Sequence, residues 1–222
     1  VSASLFAQLT LYRFNNDGSR DTSFNPLVFN LRGGFLIGKL VILTDGKLLI
    51  GGAHSFGYLF RVNTDGTKDT TFESPALVNT FNTMAPPRVN DFDFQADGKI
   101  PFVGAFTSVN GVDKTNIARL NVDGSLDLSF NPSVSFPIAI APSVTRIDVQ
   151  PDQKILIQGN FTNGSLLRFN PDGTADNTFI NGSNYFSTLD SSGRLLYVTS
   201  AGYARLNADG SPDTTFTTLS IK

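Results

Sequence analysis

The sequence predicts an all-β chain folded as a β-propeller of about five four-stranded antiparallel blades. Three observations carry this reading. With 20 Phe, 20 Gly and 11 Pro in 222 residues, the composition suits strands separated by tight turns. Apolar residues recur in short alternating runs that end in Asp-Gly, and no capped window shows helical spacing. Above all, one twelve-residue block occurs five times in strict register.

The block follows R-x-N-x-D-G-[ST]-x-D-x-[ST]-F, and its eight specified positions hold in every copy. Arg13, Asp17, Asp21 and Phe24 mark the first copy, and Arg61, Asp65, Asp69 and Phe72 the second. Arg119, Asp123, Asp127 and Phe130 mark the third, and Arg168, Asp172, Asp176 and Phe179 the fourth. Arg205, Asp209, Asp213 and Phe216 mark the fifth. A looser block precedes each of the last four: KLVILTDGKLLIGG (39–52), FDFQADGKIPFVG (92–104), IDVQPDQKILIQG (147–159) and FSTLDSSGRLLYV (186–198). Each is an apolar run, a polar turn with Lys or Arg at its exit, and a second apolar run, which is a β-hairpin signature. The twelve-residue block supplies a second hairpin, for example Ile117–Asn121, the turn at Asp123-Gly124 and a strand through Phe130.

Two hairpins give four strands per unit, and the block arginines lie 48, 58, 49 and 37 residues apart, which is blade spacing. One domain over 1–222 follows, with units 27–72, 73–130, 131–179 and 180–216 after a partial unit at 1–26. That first unit lacks its leading hairpin turn. Ser2–Ala7 is expected as its second strand, and the tail 217–222 as an inner strand that closes the ring. An open piece of a larger propeller is the alternative, and Val at position 1 suits a processed or trimmed chain.

Together the two blocks resemble the delta-60 repeat family, most closely in VQPDQKILIQGNFTNG leading into LLRFNPDGTADNTF over 147–179. The resemblance covers nearly the whole chain. It implies a bacterial or phage-encoded, exported propeller at the cell surface, outside the cell or on a virion, with no shared catalytic residues. Residues 186–198 depart from it, lacking the Asp-Gly-Lys core.

The motif residues read as scaffold. Asn-x-Asp-Gly makes a tight turn, Gly taking positive φ and Asp accepting backbone N–H bonds. The second Asp is placed to meet the planar guanidinium fork of the block Arg, and the closing Phe to fill the wedge between blades. A calcium loop is not expected, because its first ligand position falls on Arg13 and its twelfth on Phe24. No metal and no cofactor are therefore assigned.

Function classes narrow by exclusion. A net charge of -2 without a basic cluster argues against nucleic acid, and no apolar run is long enough to insert into a membrane as a helix. Zero Cys and one His leave no disulfide or Cys-zinc chemistry. Asp93 and Asp148 hold equivalent positions and are expected to face the central channel, but Val41 and Thr188 break the ring of acids. No catalytic residue is assigned. Strand parity puts the variable connections 25–38, 53–58, 73–88 and 131–144 on one face. Exposed Phe29, Arg32, Phe35, His54, Phe56, Tyr58 and Phe81 there are the candidate ligand-binding residues. The sequence thus favours a non-catalytic module that docks a protein partner or neighbouring domain. A glycan-binding propeller is second, and a glycan hydrolase third.

Overall fold

The computed structural model describes residues 7–31, 37–54, 57–81, 86–134, 144–162, 164–180, 186–199 and 202–217. Every regular element among them is a strand. In chain order these are β1 (Ala7–Leu11), β2 (Leu27–Leu31), β3 (Ile37–Ile42), β4 (Leu48–His54), β5 (Gly57–Val62) and β6 (Leu77–Val78). Next come β7 (Arg88–Phe92), β8 (Ile100–Ala105), β9 (Ser108–Val109), β10 (Val112–Asp113) and β11 (Ile117–Leu120). The last two blades hold β12 (Val144–Val149), β13 (Ile155–Phe161), β14 (Gly164–Phe169), β15 (Phe186–Leu189), β16 (Leu195–Thr199) and β17 (Gly202–Leu206).

The chain is an all-β propeller. Its blades are the antiparallel sheets β3-β4-β5, β7-β8-β11, β12-β13-β14 and β15-β16-β17, preceded by the pair β1-β2. The inner strand of each full blade is β3, β7, β12 or β15, and the tight turn that follows returns the chain as the second strand. Gly46 and Gly98 take positive φ in two of these turns, whereas Gln153 adopts φ 67° at the same place in the third.

The fourth strand is shorter than the sequence suggests. In every block it shrinks to one bridge, such as Leu120↔Leu126 or Val62↔Lys68. Past that bridge Asp127 Oδ1 accepts the N–H and the hydroxyl of Ser129, at 3.0 and 2.6 Å, and the chain curls instead of continuing to Phe130. A local side-chain bond has displaced the ladder. Segment 25–38 is likewise not all loop: Leu27–Leu31 is β2, paired with β1 from Leu11↔Leu27 to Ala7↔Leu31. The expected strand at Ser2–Ala7 and the closing tail fall on residues 1–6 and 218–222, outside the described residues apart from Ala7 and Thr217.

The core lies between blade faces. Phe92, Phe102 and Phe106 pack with Leu49 and Leu59 of the preceding blade, all fully buried. Ile147 and Ile157 meet Val103, Ile117 and Phe130 in the same way. Gly51 makes room for this, since a Cβ there would lie 3.0 Å from the Phe92 ring. Each buried aromatic or branched side chain contributes about 1.5–3 kcal/mol, so these interfaces hold the blades together.

Candidate functional site

Two layers of charge sit on this frame, one at the hairpin turns and one on the inner strands. The turn layer repeats five times. Arg13, Arg61, Arg168 and Arg205 each place Nε 2.7 Å from the second aspartate of their block, and Arg119 does so at 2.9 Å. Lys47, Lys99 and Lys154, at the exits of the leading hairpins, bind the same carboxylates Asp69, Asp127 and Asp176 at 2.8, 3.0 and 2.9 Å. Each guanidinium also stacks on the closing Phe of its block, 4.4–5.0 Å from the ring centroid.

The same arginines reach forward. Nη1 of Arg13, Arg61, Arg119 and Arg168 donates to the carbonyl of Thr64, Val122, Pro171 and Ala208, the residue before the turn aspartate of the next block. Gln95 and Gln150 buttress the contact, accepting from Arg119 and Arg168 and donating to the next blade's turn. Burial pushes Asp69 up, but Lys47, Thr71 and Arg61 outweigh it and hold the carboxyl well below the usual range. These groups are engaged in holding blade to blade.

The inner-strand layer is different. An inner strand has one open edge, whose N–H and C=O groups need partners. Asp91 Oδ2 accepts the Ile147 N–H at 3.0 Å and Asp93 Oδ2 the Val149 N–H at 2.7 Å, while Asn90 Nδ2 donates to Val144 O at 2.7 Å. One step back around the ring, Lys39 Nζ donates to Phe92 O at 2.7 Å and lies 2.9 Å from Asp91 Oδ1. Asp93 is thus turned onto its neighbour's backbone rather than left in open channel.

Asp148 holds the position of Asp93 one blade on, and its bonds run to its own strand. Arg146 Nε meets Oδ2 at 2.6 Å and Nη2 meets Oδ1 at 3.2 Å. Burial pushes the Asp148 carboxyl up; Arg146 pulls it down, and the negative charges of Asp91 and Asp93 add to the rise. The net shift is upward, the reverse of the block aspartates. Three carboxylates and two cations therefore gather on three neighbouring strands, with one carboxyl biased towards its protonated form. Among the described residues no group of three or more His, Cys, Asp or Glu is arranged to hold a metal ion.

The seven candidate binding residues fare unevenly. Phe29, expected on the surface, is 1% exposed and packs on Phe60 with ring centroids 6.3 Å apart, because β2 turns it into the core. Tyr58 is half-buried against the core of the second blade, and burial pushes its phenol up. Phe81 is exposed. His54 ends β4, and Arg32, Phe35 and Phe56 lie outside the described residues. Of the seven, Phe29, Tyr58 and Phe81 have described side chains, and among these three Phe29 belongs to the core. Sequence reading had Asp148 as one of two channel acids but missed Arg146, Lys39 and Asp91; the signal was their shared register on the inner strands.

The family model of a β-propeller domain of unknown function, DUF5122, matches residues 6–24, 43–72, 95–130, 150–179 and 191–216. No curated protein matches the sequence. Among solved structures, one similar chain is a gluconolactonase from Xanthomonas campestris described as important in glucose secondary metabolic pathways. It is 15% identical, with a TM-score of 0.48, over 90% of this chain and 65% of that one. A second, named as a candidate gluconolactonase, is 17% identical with a TM-score of 0.48, over 90% of this chain and 68% of that one. A third is a protein of unknown function from Bacteroides caccae, 11% identical with a TM-score of 0.26, over 74% of this chain and 72% of that one. This chain spans about two thirds of the length of the first two. The expected role as a non-catalytic docking or adhesive module is corrected here. Phe29, meant for the docking face, lies in the core. The chain belongs to the DUF5122 β-propeller family.

Proposed function

We propose that this DUF5122 propeller carries an acid–base site for a small polar substrate on its inner strands, with Asp148 as the proton-exchanging group. The environment of Asp148 supports the reading: a carboxyl raised by burial, oriented by Arg146 and crowded by Asp91 and Asp93. A general acid or base needs such a poised group. Arg146 and Lys39 supply positive charge for an oxyanion developing nearby. The reaction class this suits is hydrolysis of a small ester or lactone. Water adds to the carbonyl, Asp148 takes the water's proton, and the same proton passes to the departing alkoxide. Within the propeller class, the five R-x-N-x-D-G blocks support assignment to the delta-60 repeats.

The test is a panel of small esters and lactones followed by proton release. Turnover that falls to background in Asp148→Asn, while Asp45→Asn in a hairpin turn retains it, supports the site. No turnover of any compound across the pH range contradicts it.

A further inference from the structure

Unit 73–130 is built differently from its neighbours between its second and third strands. β4 reaches β5 across residues 55–56, β13 reaches β14 across 162–163, and β16 reaches β17 across 200–201. Between β8 and β11, residues 106–116 instead form the hairpin β9-β10, which pairs with β6 as a small separate sheet. Asn116, at φ 60°, brings the chain back to the blade. Its N–H donates to Phe106 O at 3.0 Å, and its Oδ1 accepts the Phe106 N–H at 3.2 Å. Two residues earlier, the Lys114 N–H donates to Thr107 O at 3.1 Å and fixes the base of that side chain.

This arrangement buries a lysine without giving it a carboxylate. Three cations are buried among the described residues: Lys114, at 7% exposed, Arg119 and Arg168. The two arginines pair with Asp127 and Asp176 at 2.9 and 2.7 Å, whereas no carboxylate among the described residues lies within ion-pair distance of Lys114. Its Nζ donates to two neutral oxygens, Phe130 O at 2.6 Å and Asn131 Oδ1 at 2.5 Å. An ammonium has three N–H groups, so one remains. A buried charge without a counter-charge is costly, and burial pushes the Lys114 ammonium down, with the more distant charge of Asp127 opposing. The lysine lines a cavity of about 350 Å³ together with Asp113, Thr115, Asn131 and Ser133.

We propose that this cavity binds a small hydroxylated monocarboxylate, whose carboxylate accepts the third N–H of Lys114. The missing counter-charge fixes the sign of the ligand. Asp113 limits that charge to one, since a second carboxylate would meet its negative charge in the same cavity. The hydroxyls of Thr115 and Ser133, both on exposed residues, can donate to or accept from hydroxyls of the ligand. No lining residue belongs to the inner-strand cluster of Asp91, Asp93, Arg146 and Asp148, so this site and the acid–base site succeed or fail separately.

The probe is sodium glycerate, titrated into the intact 222-residue chain and followed by the carbon-13 resonance of Lys114 Cε. A saturable shift at Lys114 is expected, with the other six lysines unmoved. Glyceramide, the uncharged analogue, leaves the resonance in place. Ser133→Ala weakens glycerate about threefold or more. Asp113→Asn tightens it by a similar factor and admits malate, a dicarboxylate that the unaltered chain rejects. Both substitutions fall on exposed residues, so neither result depends on the fold tolerating the loss of Lys114. Absence of a saturable shift overturns the proposal. Equal shifts by glycerate and glyceramide overturn it by assigning the cavity to neutral polyols. Chloride that displaces glycerate at equal concentration overturns it as an unselective anion site, and malate bound as tightly as glycerate by the unaltered chain contradicts the limit to one charge.

Discussion

Arg119 Nη1 donates to the carbonyl of Pro171 at 2.5 Å, across 52 residues of chain, so a side chain of one blade is fixed to the turn of the next. The same guanidinium holds Asp127 and stacks on Phe130. One residue thus closes its own hairpin, supports a buried ring and docks the following blade. Because the contact recurs at four junctions, the repeat motif describes how blades join as well as how each one turns.

Burial decides what each copy of that arginine is worth. Arg119 is 5% exposed, and its replacement by Ala leaves Asp127 buried with Lys99 as its remaining cation. The expected cost is about 3–5 kcal/mol. Arg13 is 40% exposed, and Arg13→Ala should cost no more than about 1 kcal/mol. Urea denaturation of the two variants checks the ordering; equal losses contradict it.

The turn glycines give a second comparison at constant backbone geometry. Gly18 and Gly124 have φ of +83° and +89°, but an added Cβ meets nothing at Gly18 and lies 2.3 Å from Glu73 O at Gly124. Gly18→Ala should therefore cost only left-handed strain, about 1–2 kcal/mol. Gly124→Ala must also push the Glu73 backbone away, so its thermal midpoint should fall clearly further.

Acid should loosen the turn layer. Asp21 is held at about 2, against an ordinary 3.8, by the Ser23 hydroxyl and N–H and then Arg13. Asp213 is held at about 2 by the Thr215 hydroxyl, with burial opposing and Arg205 assisting. Between those values and 3.8 the unfolded chain binds more protons than the folded one. The stabilisation is complete above the ordinary carboxylate range and is lost as pH falls through it towards about 2. The urea midpoint should be level near pH 6 and drop steeply below about pH 4; a level midpoint down to about pH 2.5 contradicts the pairing.

Much of this frame was legible in the residues. Asp-Gly turns and alternating runs located the hairpins because turn chemistry and strand parity are local. The pairing of block Arg with second Asp was legible too, being set by a fixed eight-residue separation. What escaped was non-local. The lysines at the hairpin exits bind aspartates 22 residues away in two units, Lys47 with Asp69 and Lys154 with Asp176, and 28 away in the third, Lys99 with Asp127. Phe29 looked like a loop aromatic because nothing nearby reveals that β2 pairs back onto β1. Gln153 reads as a lapse from Asp-Gly, yet its Oε1 accepts the Ala96 N–H at 2.6 Å across the blade interface. The inner-strand cluster was half visible: Asp93 and Asp148 share a position in the repeat, but only packing turns one onto backbone and leaves the other with Arg146.

Like-charge crowding at Asp148 can be tested by removing its neighbours. Asp91→Asn and Asp93→Asn should each lower the Asp148 midpoint, since both negative charges raise it. An upward move in either variant contradicts the arrangement.

The most direct measurement is the titration of the Asp148 side-chain carboxyl, followed by its carbon-13 resonance in the intact chain. The account predicts a midpoint above the ordinary 3.8, with the block aspartates titrating well below it in the same sample. A midpoint for Asp148 at or below 3.8 contradicts its role as the proton-exchanging group.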